Sequence, residues 1–215
     1  IIRRAEQLNK LAITATQMME SMIESTIPTR AEVSDVANAI LDGTDAVMLS
    51  AETAMGRHPD KVIKAMDEIC IGAEKRRHAK RSHHRVHSYF GRDDEAIAMA
   101  AMYVANHLDV KAIVALTESG STALWMSRIR SPIPIYALSR HPSACGRMTL
   151  FRGVYPVLFD ATQFEPWEVT RQAVGTLVQR GILRTGDKVI VTKGNIIGVG
   201  GKANNLKIVT AEALN

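Results

Sequence analysis

A chain of 215 residues, 46% hydrophobic and 23% charged, can bury one large core or two smaller ones, which excludes a disordered chain and favours two domains. No apolar run reaches the length of a bilayer span, and Cys70 and Cys145 lie too far apart for a CxxC motif. That composition speaks against a membrane span, a structural zinc site and a disulfide framework, and it fits a reducing cytoplasm.

The opening "IIRRAEQLNK" has neither an initiating Met nor the apolar core of a signal peptide. It reads as the second half of an amphipathic helix, so the chain is expected to start partway along a longer protein. A strand is predicted at about Leu11 to Thr16, a helix over Arg30 to Leu41, a second strand over Asp45 to Ser50 and a second helix over Pro59 to Glu74. The first helix has a legible start, because Thr29 stands at the N-cap position with Glu32 three residues on to complete a capping box. Gly43 closes it.

These are two successive βα units, and both strands are continuous apolar runs of the kind parallel strands show when covered on both faces. Each run stops at a hydroxyl, Thr16 in the first and Ser50 in the second, with Glu20 or Glu52 shortly beyond. In a (β/α)8 barrel of about 250 residues the active-site groups sit at the carboxyl ends of the strands. Thr16, Ser50 and Glu52 fall there. By themselves they read more readily as strand-end caps than as catalytic groups. Paired acidic metal ligands and a phosphate-positioning lysine are missing from the first 75 residues.

The stretch "KRRHAKRSHHRVH" at 75–87 holds much of the net charge of +5. It reads as an interdomain linker, the alternative being a polyanion-binding patch, though no aromatic is interleaved with the charges. Its histidines, His78, His83, His84 and His87, lack zinc-site spacing. Beyond it come a helix from Asp93 to Leu108, then strand, polar loop and helix in "KAIVALTESGSTALWMSRIR". Strands at "PIYALS" and "GVYPVLF" follow, with a helix in "WEVTRQAVGTLVQRG" ending at Gly181. The last strands, "DKVIVTKG" and "LKIVTAE", are joined by a Gly-rich loop too short for a helical crossover and should pair antiparallel. The second domain is thus a three-layer α/β/α sandwich with a mostly parallel sheet.

In "TESGST", Thr117, Ser119, Ser121 and Thr122 crowd around Gly120 just before a helix starting near Thr122. Hydroxyls and backbone N–H groups at a helix N-terminus suit a phosphate, and glycine admits its close approach. The same cluster also serves as a cap without a ligand. Lys193 and Lys202, flanking the Gly-rich loop, bring positive charge to strand ends where open α/β sheets bind ligands. That loop reads as a lid or as a simple hairpin turn.

Taken together and in this order, "ITATQMMESMI", "PTRAEVSDVANAILDGTDAVMLSAETAMGRHP", "TESGSTA", "LSRH" and "GDKVIVTKG" resemble the pyruvate kinase family over essentially the whole chain. "LSAET" with "TESGSTA" looks closer to the bacterial type activated by sugar monophosphates or AMP. The resemblance implies that residues 1–74 are the end of the catalytic barrel, 75–87 a linker and 88–215 the C-terminal regulatory domain. It implies phosphoryl transfer from phosphoenolpyruvate to ADP with Mg²⁺ or Mn²⁺ and K⁺, in a cytoplasmic homotetramer that engages neither nucleic acid nor membrane. The metal ligands would lie before Ile1, leaving this portion inactive alone. Thr16 would stand near the methylene carbon of phosphoenolpyruvate, with Ser50 and Glu52 at the neighbouring strand end. Thr117, Ser119, Gly120, Ser121, Thr122 and Lys193 would hold the effector phosphate, and Arg30 would face a second subunit. The alternative is a freestanding sugar-phosphate-binding module without catalysis.

Overall fold

The computed structural model describes residues 1–15, 17–75, 89–196, 198, 200 and 202–214. Contacts divide the chain into two compact units, Ile1–Arg81 and Ser82–Asn215. Most of the basic stretch at 75–87, and Thr16, lie outside the described residues.

The first unit holds α1 (Ile2–Gln7), β1 (Ile13–Thr14), a 3-10 turn (Glu20–Ile23), α2 (Arg30–Asp42), β2 (Ala46–Val47), α3 (Ala51–Ala54) and α4 (Pro59–Glu74). Strands β1 and β2 pair in parallel, Ile13 opposite Ala46 and Thr14 opposite Val47. They are shorter than the apolar runs that contain them, because side chains take over at the ends of the ladder. Asp45 Oδ2 accepts from the Ala12 N–H at 2.9 Å, and the buried Thr44 hydroxyl donates to the Ala12 carbonyl at 2.9 Å.

Helix α2 starts as its sequence requires. Thr29 Oγ1 accepts from the Glu32 N–H at 3.3 Å, and Glu32 Oε2 accepts from the Thr29 N–H at 2.8 Å. Gly43 ends the helix at φ 97°, a left-handed conformation that glycine adopts without a Cβ penalty. Helices α2 and α4 close over a core rich in methionine, in which Met19, Met22, Val36 and Val62 are fully buried. Met is unbranched and fills such irregular space well.

Glu32 does more than cap. It also accepts from the Ser21 N–H at 2.7 Å and the Ser21 hydroxyl at 2.5 Å, tying the 3-10 turn to the start of α2. Burial pushes this carboxyl up, but the bonds from Ser21 and Thr29 outweigh it and hold it below the usual glutamate range. A depressed folded value contributes stability that is complete above the unfolded value and is lost as pH falls through the folded one. Glu32→Gln should therefore lower the urea midpoint at neutral pH, and the gap between variant and parent should close as pH is lowered through the carboxylate range.

The second unit holds α5 (Asp93–His107), β3 (Ala112–Leu116), α6 (Ser121–Ser127), β4 (Ile135–Ser139), α7 (Pro142–Met148), β5 (Val154–Leu158), a 3-10 turn (Ala161–Gln163), α8 (Val169–Gln179), β6 (Lys188–Gly194) and β7 (Ala203–Thr210). Its sheet has the order β5-β4-β3-β6-β7. The first three pairings are parallel, and β6 and β7 pair antiparallel as their short connection requires.

Period-two alternation assigns each face of this sheet a helical layer. Ile113, Ala115, Ile135 and Ile190 face one core with α5, α6 and α7, while Ala112, Val114, Leu138 and Val191 face the other with α8. The alanines at 98, 101 and 105 let α5 lie close against the sheet. The short α7, opened by Pro142 at the first helical position, carries no amphipathic run long enough to announce it in sequence.

Candidate functional site

In the second unit the strand order reverses at β3, whose neighbours β4 and β6 receive crossovers running in opposite directions. Ligands in open α/β sheets bind outside the carboxyl ends of the strands at such a point. A cleft lies there, lined by Thr117, Thr122, Ser139, Arg140, Lys193 and Lys202 among others. Its enclosed volume is about 50 Å³, room for a water or two, and the cleft is partly open to solvent.

Each wall has a local cause. Thr117 follows directly on β3 and accepts from the Gly120 N–H at 3.0 Å, closing the turn. Gly120 takes φ 87°, and a Cβ there would lie 2.9 Å from Met148 Cγ. Glycine is thus required twice over. Helix α6 begins at Ser121, one residue before the predicted start, so Thr122 lies in its first turn and is buried at the cleft. Ser119 is exposed and its hydroxyl accepts from the Ser121 N–H at 3.4 Å, while neither Ser119, Gly120 nor Ser121 lines the cleft. The structure therefore brings Thr117, Thr122 and Lys193 together there and leaves the rest of the hydroxyl loop to shape the turn.

Lys193 Nζ donates to the Pro166 carbonyl at 2.8 Å. Burial, and then the nearby positive charge of Lys207, push this ammonium below the usual lysine range. The charge of an anion in the cleft would offset both. Arg140, which sequence reading did not single out, lines the same cleft; its Nε donates to Glu118 Oε2 at 2.9 Å, and His141 Nε2 lies 2.7 Å from that oxygen. The only advance signal for Arg140 was its place in "LSRH" at the end of a strand.

In the first unit, Ser50 stands three residues beyond β2 as the N-cap of α3, without a side-chain capping bond. Glu52, inside α3, is 3% exposed. Its Oε2 accepts from the Ser50 N–H at 2.9 Å and its Oε1 from the Met19 N–H at 3.3 Å. Arg30 is exposed at the first position of α2. Among the described residues no three His, Cys, Asp or Glu side chains converge as a metal site. Glu52, whose two oxygens each accept an amide N–H, has no second carboxylate beside it to complete a site for Mg²⁺ or Mn²⁺ among the described residues. No helix among these residues is long and apolar enough to cross a membrane.

Two family models match this arrangement, the pyruvate kinase barrel domain over residues 1–63 and the pyruvate kinase alpha/beta domain over residues 95–209. The chain belongs to the pyruvate kinase family. Pyruvate kinase II of Salmonella typhimurium is 53% identical over 99% of this chain and 44% of its own length. The pyruvate kinase of Buchnera aphidicola subsp. Baizongia pistaciae is 53% identical over 97% of this chain and 43% of its own length. That of Candida albicans is 38% identical over 98% and 43%. The chain thus spans under half the length of these pyruvate kinases. Its barrel part is the end of a (β/α)8 domain, and the α/β/α sandwich is the family's second domain.

Proposed function

We propose that this chain is the C-terminal portion of a pyruvate kinase that transfers phosphoryl from phosphoenolpyruvate to ADP. Residues 1–74 complete the catalytic barrel, 75–87 link it, and 88–215 form a regulatory domain whose cleft binds a phosphorylated effector, a sugar monophosphate or AMP. The observation that carries the regulatory reading is the convergence of Lys193, Arg140, Lys202, Thr117 and Thr122 at the carboxyl ends of β3, β4 and β6.

Thr16 and Ser50 belong to the catalytic mouth in this reading. The enolate left by phosphoryl transfer must gain a proton at its methylene carbon, and a threonine hydroxyl, a poor acid itself, can relay one from water. Mg²⁺ or Mn²⁺ and K⁺ would be held by residues other than those described. Arg30 would lie at the contact with a second subunit of a tetramer, and an isologous contact of that kind gives an effector a route to the barrel.

The test is steady-state kinetics of the complete enzyme with phosphoenolpyruvate and ADP, with and without ribose 5-phosphate or AMP, in the parent and in Lys193→Met. Losing one charge-assisted hydrogen bond, about 1.5–3 kcal/mol, should raise the half-activating concentration about tenfold or more. Equal activation of parent and variant would remove the effector from this cleft. Absence of pyruvate formation by the complete protein would overturn the catalytic reading.

A further inference from the structure

The segments that follow β1 and β2 are joined by a buried stitch in addition to the strands themselves. The last main-chain bond of the ladder runs from the Met48 N–H to the Thr14 carbonyl at 2.9 Å, and the main-chain groups beyond it need other partners. Glu52 supplies two. Its carboxylate spans from the Ser50 N–H, on its own segment, to the Met19 N–H, 33 residues earlier and fully buried at the head of the 3-10 turn.

The surrounding backbone is arranged for that reach. Gln17 enters the turn at φ 51°, a left-handed conformation uncommon for a residue with a Cβ. At the other end of the stitch Gly56 folds so closely over α3 that a Cβ would lie 2.2 Å from the Glu52 carbonyl oxygen. A further backbone bond, from the Arg57 N–H to the Ile23 carbonyl at 3.0 Å, runs between the same two segments. The exposed Arg57–Glu24 ion pair beside it adds little.

We infer that Glu52 is a positioning residue for the reaction, holding the two strand ends together, and that it does not exchange a proton with the substrate. The inference rests on reading these strand ends as part of the catalytic mouth. Two N–H donors aimed at two oxygens demand an acceptor on both, which a carboxylate provides and a carboxamide does not. In Glu52→Gln either orientation of the amide sets its NH₂ group against the Met19 or the Ser50 N–H. Glu52→Asp keeps the charge but shortens the side chain by one methylene, so it can satisfy only the nearer amide.

The experiment uses the complete enzyme and two readouts, one independent of activity. Hydrogen exchange of the Met19 and Ser50 amides is compared in the parent, Glu52→Gln and Glu52→Asp, and kcat is measured across pH for each. The positioning role predicts exchange at least about tenfold faster at one or both amides of Glu52→Gln, faster exchange at Met19 alone in Glu52→Asp, and a reduced kcat whose pH profile keeps its shape. Loss of one limb of the pH profile with amide protection unchanged would make Glu52 a proton-transfer group and overturn the inference, as would unchanged exchange and kcat together. If Glu52→Gln fails to fold, the graded loss in Glu52→Asp decides. An inactive parent enzyme would count against the proposed reaction, while the exchange rates would still report on the stitch.

Discussion

Gly120→Val is expected to cost the second unit about 2–5 kcal/mol, from backbone strain and overpacking acting together. The position is held at φ 87°, where a β-branched residue is strongly disfavoured, and the new Cβ would stand 2.9 Å from Cγ of Met148, which is fully buried. The backbone penalty does not relax without moving the turn, and the steric one requires the buried Met148 side chain to shift. Thr117 accepts the Gly120 N–H that closes it, and Thr122 follows two residues later in the first turn of α6. Urea unfolding of the 215-residue chain, followed by circular dichroism, should show the lost stability, and the complete enzyme should lose its response to effector. A midpoint equal to that of the parent would mean that the turn adapts freely.

Ile190→Ala should cost about 2–5 kcal/mol, the range for truncating a fully buried aliphatic residue. Ile190 is 0% exposed, lies on β6 between β3 and β7, and points into the core made with α5, α6 and α7. Ile208, its register partner on β7, is 49% exposed. Ile208→Ala should therefore cost well under half as much. Comparable losses at the two positions would mean that the face of β7 bearing Ile208 is covered in solution.

Features that rest on local chemistry were legible in the sequence. The capping box of Thr29 and Glu32, the glycine stop at Gly43, the helix from Pro59 to Glu74 and the antiparallel closing pair are each set by a few neighbouring residues, and they stand where the pattern placed them. Helix α7 was missed because seven residues make too few turns to show a period. The hydroxyl loop was legible as a turn, but which hydroxyls face the cleft was not. That depends on α6 starting at Ser121 and on the distant side chain of Met148. Arg140 gave little signal, and Glu52 was legible as a strand-end residue but not by its bond to Met19, because their partners lie about 20 to 30 residues away, Glu118 for one and Met19 for the other.

The placement of β6 also orders events during synthesis. It lies at the inner position beside β3, pairing Ala112 with Val189, residues 77 positions apart. Until a ribosome has released residues 188–194, the three earlier strands can assemble only with one side of β3 bare. Such a non-local pairing is slow to form, and an open edge of that kind recruits other chains. Nascent chains arrested before β6 should therefore be the aggregation-prone species, and chaperone dependence should fall sharply once β6 and β7 have emerged.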